Sequence, residues 1–324
     1  MKLLNLIVAV SIILLLQSCN KVEELSGDDV PGYSPILLSA ETTDTYTRAY
    51  IPTGMYDNFK VYAVSVTDGT QKTVMEGYEV KFVSDSWTYV TDTQKLMFWD
   101  SKADSYLFTA GAPINAVTDI SATTMQLHLE NNTSGSVMAA EPLKIERSSQ
   151  DFGKIVNLRF GYAHCRVCVA FVKNTESDIT DITLKPTAAI TSEADLTYTY
   201  DWSTSTASTQ LTSTATSSDS FYFNSVNIPA GTADAVLSET RYYCVPNASN
   251  PTGWTVSLNC DGEQKSGTFV NEQAWESGKN YIYIFSLDGK TPKLIYVLAG
   301  DMDDYFDCND IVPGGDFSNS DMTE

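Results

Sequence analysis

Six cysteines and two histidines hold most of the reactive chemistry open to this chain of 324 residues. Cys19 closes the run Leu16-Gln17-Ser18-Cys19, which has the form of a bacterial lipobox. In such a run the small residue before the cysteine admits a signal peptidase. The cysteine thiol is then acylated and becomes the new N-terminus. Ahead of it stand Lys2 and the apolar stretch Leu3–Leu16. That stretch is too short to cross a bilayer and has the length of a secretory signal. Residues 1–18 are therefore expected to be a lipoprotein signal peptide. Two or three acyl chains on Cys19 would anchor the protein stably, where one would not.

The other cysteines are Cys165, Cys168, Cys244, Cys260 and Cys308, an odd number, so at least one has no intramolecular partner. Cys165-x-x-Cys168 has the spacing of a redox or zinc pair. It lies in HCRVCVAFV, which reads as a strand, and residues three apart in a strand face opposite ways. Cys244 and Cys260 sit in neighbouring strand-like runs, where a cross-strand disulfide and buried free thiols are both open. His128 and His164 have no motif partner. No GxSxG, HExxH, GxxxxGK or GxGxxG occurs. Asp301, Asp303, Asp304 and Asp307 evoke a calcium loop, but Phe306 and Val312 stand where it needs glycine and glutamate. The expectation is no enzyme, no cofactor and no metal. Residues 300–324, with eight acids and no Lys or Arg, read as a solvated acidic tail.

The elements that would carry these residues are short strands. FKVYAVSV, YEVKFV, WTYV, KLMFWD, YLFTAGAP and MQLHLE form a first set. Asp68-Gly69, Glu76-Gly77 and Asn131-Asn132-Thr133 mark breaks. IVNLRF, HCRVCVAFV, DITDITL, DLTYTYDW, FYFNSVNIP, RYYCVP, WTVSLNC, YIYIFSL and KLIYVLA form a second set. DLTYTYDW and WTVSLNC alternate with period two, so each buries one face. YIYIFSL is apolar on both faces and reads as a central strand. Val137–Arg147 is the best local helix candidate, limited by Pro142. The spacing predicts an all-β protein of two antiparallel β-sandwich domains, divided near 149–151 into 49–150 and 151–324. Residues 203–220, Ser or Thr at 13 of 18 positions, read as a solvated surface loop.

Forty-one acids against 20 bases give a formal net charge of −21. No basic patch exists to neutralise phosphates, so nucleic acid is excluded as a main partner. Trp87, Trp99, Trp202, Trp254 and Trp275 could form a sugar-stacking platform, or could fill the sandwich cores.

An ordered set of short motifs then resembles the fimbrillin family (FimA/Mfa-like), lipoprotein precursors of bacterial type V pili. The lipobox Cys19 is followed by a polar linker and an Ile/Leu-Ser-Ala strand at Ile36–Ala40. Thr47-Arg48-Ala49, Val61-Tyr62-Ala63 and Trp87 come next. Phe98-Trp99-Asp100 then precedes Tyr106-Leu107-Phe108 and Ala112-Pro113. VNLRFGYAHCRV, the Tyr-Tyr-x-x-Pro of Tyr242–Pro246 and Gly278–Tyr283 complete the set. Glu23 and Glu24 resemble the acidic export signal of some surface lipoproteins.

The resemblance implies transthyretin-like sandwiches of the fimbrillin type on the cell outer membrane. It implies that a trypsin-like protease cuts after an arginine, here between Arg48 and Ala49. Residues 19–48 would then be the linker and a removable first strand, Ile36–Ala40. A neighbouring subunit's C-terminal strand, here Lys293–Ala299 and the segment after it, would enter the vacated groove. The implied partners are other fimbrial subunits, the outer membrane through lipid on Cys19, and the processing protease. The rival expectation is a surface lipoprotein that holds glycans on exposed tryptophans.

Overall fold

The computed structural model describes residues 34–42, 57–132, 136–172, 176–202, 219–229, 235–246, 253–270, 274–287 and 291–302. Cys19, Arg48, Ala49, the run 203–218 and residues 303–324, Cys308 among them, lie outside them. Residues 300–302, expected to begin the solvated tail, instead end the strand Lys293–Asp301 and bury Met302 just after it. The regular elements among the described residues are all strands except one 3-10 turn at Ile114–Ala116.

The largest sheet has the order β1 (Leu38–Thr42), β10 (Val156–Tyr162), β8 (Met138–Ala140), β5 (Ser105–Ala112), β2 (Asn58–Thr67), β3 (Thr70–Val83), β4 (Ser86–Thr88). A further strand, β9 (Leu143–Glu146), also pairs with β5. The β2–β3 hairpin turns at Asp68-Gly69, both at positive φ (49° and 74°), the conformation that suits strand twist. Glu76-Gly77, expected as a break, lies inside β3. Gly77 has φ 60° and the register shifts nearby, so the glycine makes a bulge, not an end.

This sheet curls until its ends meet. Ser34–Ile36, just ahead of β1, pair with Met97–Trp99, which follow β4. Inside the curl lies a core built on Ile36, Phe59, Val61, Trp99, Phe108 and Phe160. KLMFWD, expected as a strand, supplies only the isolated bridge between Phe98 and Pro35. The helix candidate Val137–Arg147 is instead the two strands β8 and β9. Pro142 separates them, and pairing with β5 and β10 overrides the local preference.

A second layer, β13 (Glu193–Thr199), β7 (Thr124–Glu130) and β6 (Val117–Ile120), covers the outer face of β5. Every residue of β5 is consequently buried. Gly111 is the contact point: a Cβ there would meet Leu127, Met125 and Val117 at 2.8–2.9 Å. Tyr198 and Tyr200 lie in this layer's core, and burial pushes both phenols well above their ordinary pKa.

The remaining strands make two facing sheets. One runs β16 (Val236–Leu237), β11 (Cys165–Val172), β20 (Lys279–Ser286), β21 (Lys293–Asp301), with β17 (Tyr242–Cys244) also on β11. The other runs β14 (Phe221–Phe223), β12 (Ser177–Pro186), β18 (Trp254–Cys260), β19 (Glu263–Phe269), with β15 (Val226–Ile228) also on β12. Phe171, Ile182, Trp254, Tyr283 and Phe285 fill the space between them. As expected, β20 is internal and buried on both faces.

Two features depart from a simple antiparallel pair of sandwiches. β1 joins β10, and β11 joins β20, in parallel. In addition, β10 and β13 follow residue 151 yet hydrogen-bond within the layers of earlier strands. Val156, Leu158 and Phe160 of β10 complete the first core, which ties the chain across the expected division.

Candidate assembly site

β1 and the residues just before it form a strand with one buried side. Ile36 and Leu38 are 0% and 5% exposed, whereas Leu37 between them is 45% exposed. Ala40 packs against the same core. This is period-two burial, and each large side chain so buried stabilises the fold by about 1.5–3 kcal/mol.

The strand is held on both edges. On one side it runs in register with β10, from Leu38 opposite Val156 to Thr42 opposite Phe160. On the other, the Ile36 N–H donates to Met97 O at 2.8 Å and the Trp99 N–H donates to Ser34 O at 2.9 Å. The buried Tyr89 hydroxyl donates to Ile36 O at 2.7 Å and accepts from the Met97 N–H at 3.2 Å. Burial raises the Tyr89 pKa, which keeps the phenol protonated as this donor. The expected strand Ile36–Ala40 is thus part of the observed one, displaced toward Thr42. In the sequence, Arg48 and Ala49 lie on the link between Thr42, which ends β1, and Asn58, which begins β2.

At the other end of the chain, β21 is the last strand of its sheet and pairs only with β20 among the described strands. Leu294, Val297 and Ala299 pack partly against the second core, while Ile295 is 44% exposed. Lys279 and Asp301 pair at 2.6 Å across its end. Gly267 of β19 lets the chain entering β21 pass close by, since a Cβ there would lie 2.3 Å from Pro292 O.

The tryptophans do not form a platform. Trp99, Trp254 and Trp275 are buried, at 3%, 0% and 2% exposure. Trp87 and Trp202 pack partly buried against separate cores, and the Trp202 indole N–H donates to Ala122 O at 2.6 Å. The glycan site on exposed tryptophans is therefore corrected: these rings take inward positions because they supply core volume.

Cys165 and Cys168 fall on opposite faces of β11, in different cores, as their spacing predicts. Cys244 lies opposite Cys165 in the β11–β17 register, not opposite Cys260, and the Cys165 thiol donates to Cys244 O at 3.5 Å. Cys165, Cys168, Cys244 and Cys260 are all buried, and none of them is in a disulfide. Burial pushes the Cys244 thiol up.

The histidines differ sharply. His164 is buried against the edge of Tyr243, ring centres 4.7 Å apart, and burial drives its pKa down to about 3. His128 lies on the β7–β13 surface. Its Nδ1 is 2.9 Å from Asp195 Oδ1, and its Nε2 is 3.5 Å from both Glu130 and Glu193. The hydrogen bond to Asp195 is the largest cause of its raised pKa. The sequence hid this cluster because two of the three carboxylates come from a distant strand. Among the described residues no group of three His, Cys, Asp or Glu is arranged to hold a metal ion.

Two solved structures share the fold. A protein of Bacteroides ovatus ATCC 8483 assigned to cell adhesion has a TM-score of 0.54 at 11% identity, over 83% of this chain and 97% of its own. One from Bacteroides uniformis ATCC 8492, also assigned to cell adhesion, has a TM-score of 0.52 at 12% identity, over 82% and 97%. No curated protein matches the sequence. The profile of the fimbrillin-like family matches residues 47–299, most of the chain, and the chain therefore belongs to the fimbrillin-like family.

Proposed function

We propose that this protein is a subunit of a cell-surface fimbria, exported as a precursor with lipid on Cys19. Cleavage between Arg48 and Ala49 frees β1, and the C-terminal strand of a neighbouring subunit replaces it. Family membership supports the coarse role, a fimbrial subunit involved in adhesion. The position of β1 supports the finer one. With the residues just ahead of it, β1 closes the curled sheet and carries Ile36 and Leu38 into the core, and it is joined to the rest of the chain through the link that holds Arg48.

The physics of exchange follows from that position. Loss of β1 would leave one edge of β10 unpaired beside a vacated stretch of core. Such an edge captures another strand, whose backbone completes the sheet and whose alternate side chains fill the slots. β21 is suited to donate because it is an edge strand with apolar residues on both faces, Leu294 and Val297 toward the core and Ile295 toward solvent.

N-terminal sequencing and intact mass of sheared surface filaments and of washed membranes test this reading. The expected filament form starts at Ala49 and has no lipid, beside a membrane form acylated at Cys19. A single acylated form confined to the membrane would overturn the filament role.

A further inference from the structure

We propose that an open groove on the side of the β11 and β12 sandwich, where the two sheets come together, binds a carbohydrate. The groove is about 500 Å³ and is lined by Tyr222, Asn224, Glu239, Thr240, Arg241 and Tyr243. It lies where the outer strands of the facing sheets, β14 and the β16–β17 segment, come together on one side of the sandwich. Its size falls within the range of small-molecule sites.

Strand alternation sets its chemistry. Phe221 and Phe223 of β14 point into the core, so Tyr222 points out and is 65% exposed. On the opposite wall, Tyr243 has its ring braced by the edge contact with buried His164. Its backbone is fixed as well: the Tyr243 N–H donates to Asn132 O at 2.7 Å, and the Asn132 N–H returns a bond to Tyr243 O at 3.0 Å.

The walls are tied together. The Tyr222 N–H donates to the Tyr242 hydroxyl at 3.0 Å, and the Asn224 N–H donates to Thr240 Oγ1 at 2.9 Å. The Ser238 hydroxyl donates to Asn224 O at 3.3 Å. The Thr240 hydroxyl also donates to Asn224 Oδ1, which fixes the Asn224 side chain in the wall. A groove braced in this way loses little freedom on binding.

The lining selects among ligand classes. The exposed Tyr222 phenol presents a flat, rigid surface with little conformational entropy to lose, and the apolar C–H face of a pyranose can stack on it. Arg241, Glu239 and Asn224 offer planar donors and acceptors of both kinds, which match neighbouring sugar hydroxyls. Glu239 disfavours a bare anion such as phosphate. The absence of aliphatic residues from the lining disfavours an apolar peptide anchor. Single-site affinity in so open a groove is weak, and many copies displayed on one surface would raise it through avidity. This proposal does not depend on strand exchange.

A glycan array, probed with the purified chain displayed multivalently on beads, tests it. The variants are Tyr222→Ala, Arg241→Ala and Tyr222→Trp. The expected result is a defined group of bound glycans, with at least a tenfold loss of signal in both alanine variants. Tyr222→Trp, which keeps a stacking face, retains binding, and melting temperatures stay within a degree or two of the parent. Absence of binding above a heat-denatured control would overturn the proposal. So would glycan binding that survives both alanine substitutions.

Discussion

The Tyr89 hydroxyl donates a 2.7 Å hydrogen bond to the backbone oxygen of Ile36 and also receives the Met97 N–H. One phenol thereby joins the residues that enter β1 to the segment across the curl. It is a side-chain latch on the strand whose replacement the proposed assembly requires.

Replacing Tyr89 with Phe keeps the ring and removes the latch. It leaves the Met97 N–H without its phenol acceptor and takes one donor from Ile36 O. The expected loss is about 1–3 kcal/mol of unfolding free energy, the cost of buried polar groups losing a partner. A urea unfolding midpoint equal to that of the parent would show that the hydroxyl does not hold the strand.

Gly267 sits where a side chain would strike a backbone oxygen. A Cβ at this position would lie 2.3 Å from Pro292 O, so relief requires the chain entering β21 to move. Gly267→Ala is expected to destabilise by about 1–3 kcal/mol, as overpacking does. The loss should be accompanied by faster amide hydrogen exchange along β21 than along β11. Uniform exchange rates in both strands would contradict the assigned role of the glycine.

His164 makes the protein sensitive to acid. Its folded pKa, about 3, lies below the ordinary 6.5, so the unfolded chain binds its proton first. The stability linked to this group is fully present above pH 6.5 and falls as pH drops toward 3. The slope is about 1.4 kcal/mol per pH unit. His164→Phe, which cannot take up a proton, should flatten the stability profile between pH 6 and 4. A variant whose acid sensitivity matches the parent's would exclude this source.

His128 works in the opposite sense. Asp195 accepts its Nδ1 proton, and Glu193 and Glu130 add favourable charge, so its folded pKa is raised above 6.5. Its stabilising effect is present below pH 6.5 and lost as pH rises through the folded value. The site is partly solvated, which limits the effect to under about 1 kcal/mol. An NMR titration of the imidazole should give a pKa above 6.5 that falls in Asp195→Asn. A titration unchanged by that substitution would separate His128 from Asp195.

Local alternation carried much of the fold. WTVSLNC buries every second residue along β18, and Leu196, Tyr198 and Tyr200 point into one core from β13 and its end. The opposite facing of Cys165 and Cys168 followed from spacing alone. Pairing was less legible, because it depends on partners far along the chain. Nothing near Leu38 shows that it will lie parallel to Val156, or that β13 will pair with β7. The same distance concealed the carboxylates around His128 and the bond from the Tyr222 N–H to the Tyr242 hydroxyl. The tryptophans invited a surface reading because stacking and core packing need the same ring. Only burial separates the two.

The central claim is that β1 must leave for subunits to join, and a reversible lock on that strand tests it most directly. Ser39 and Asn157 are register partners across β1 and β10. Ser39→Cys with Asn157→Cys places two thiols at a separation that a disulfide can bridge. In cells making the doubly substituted chain, the account predicts that the oxidised form yields no sheared filaments, and that mild reduction restores them. Filaments formed at the parental level by the oxidised, locked chain would contradict it.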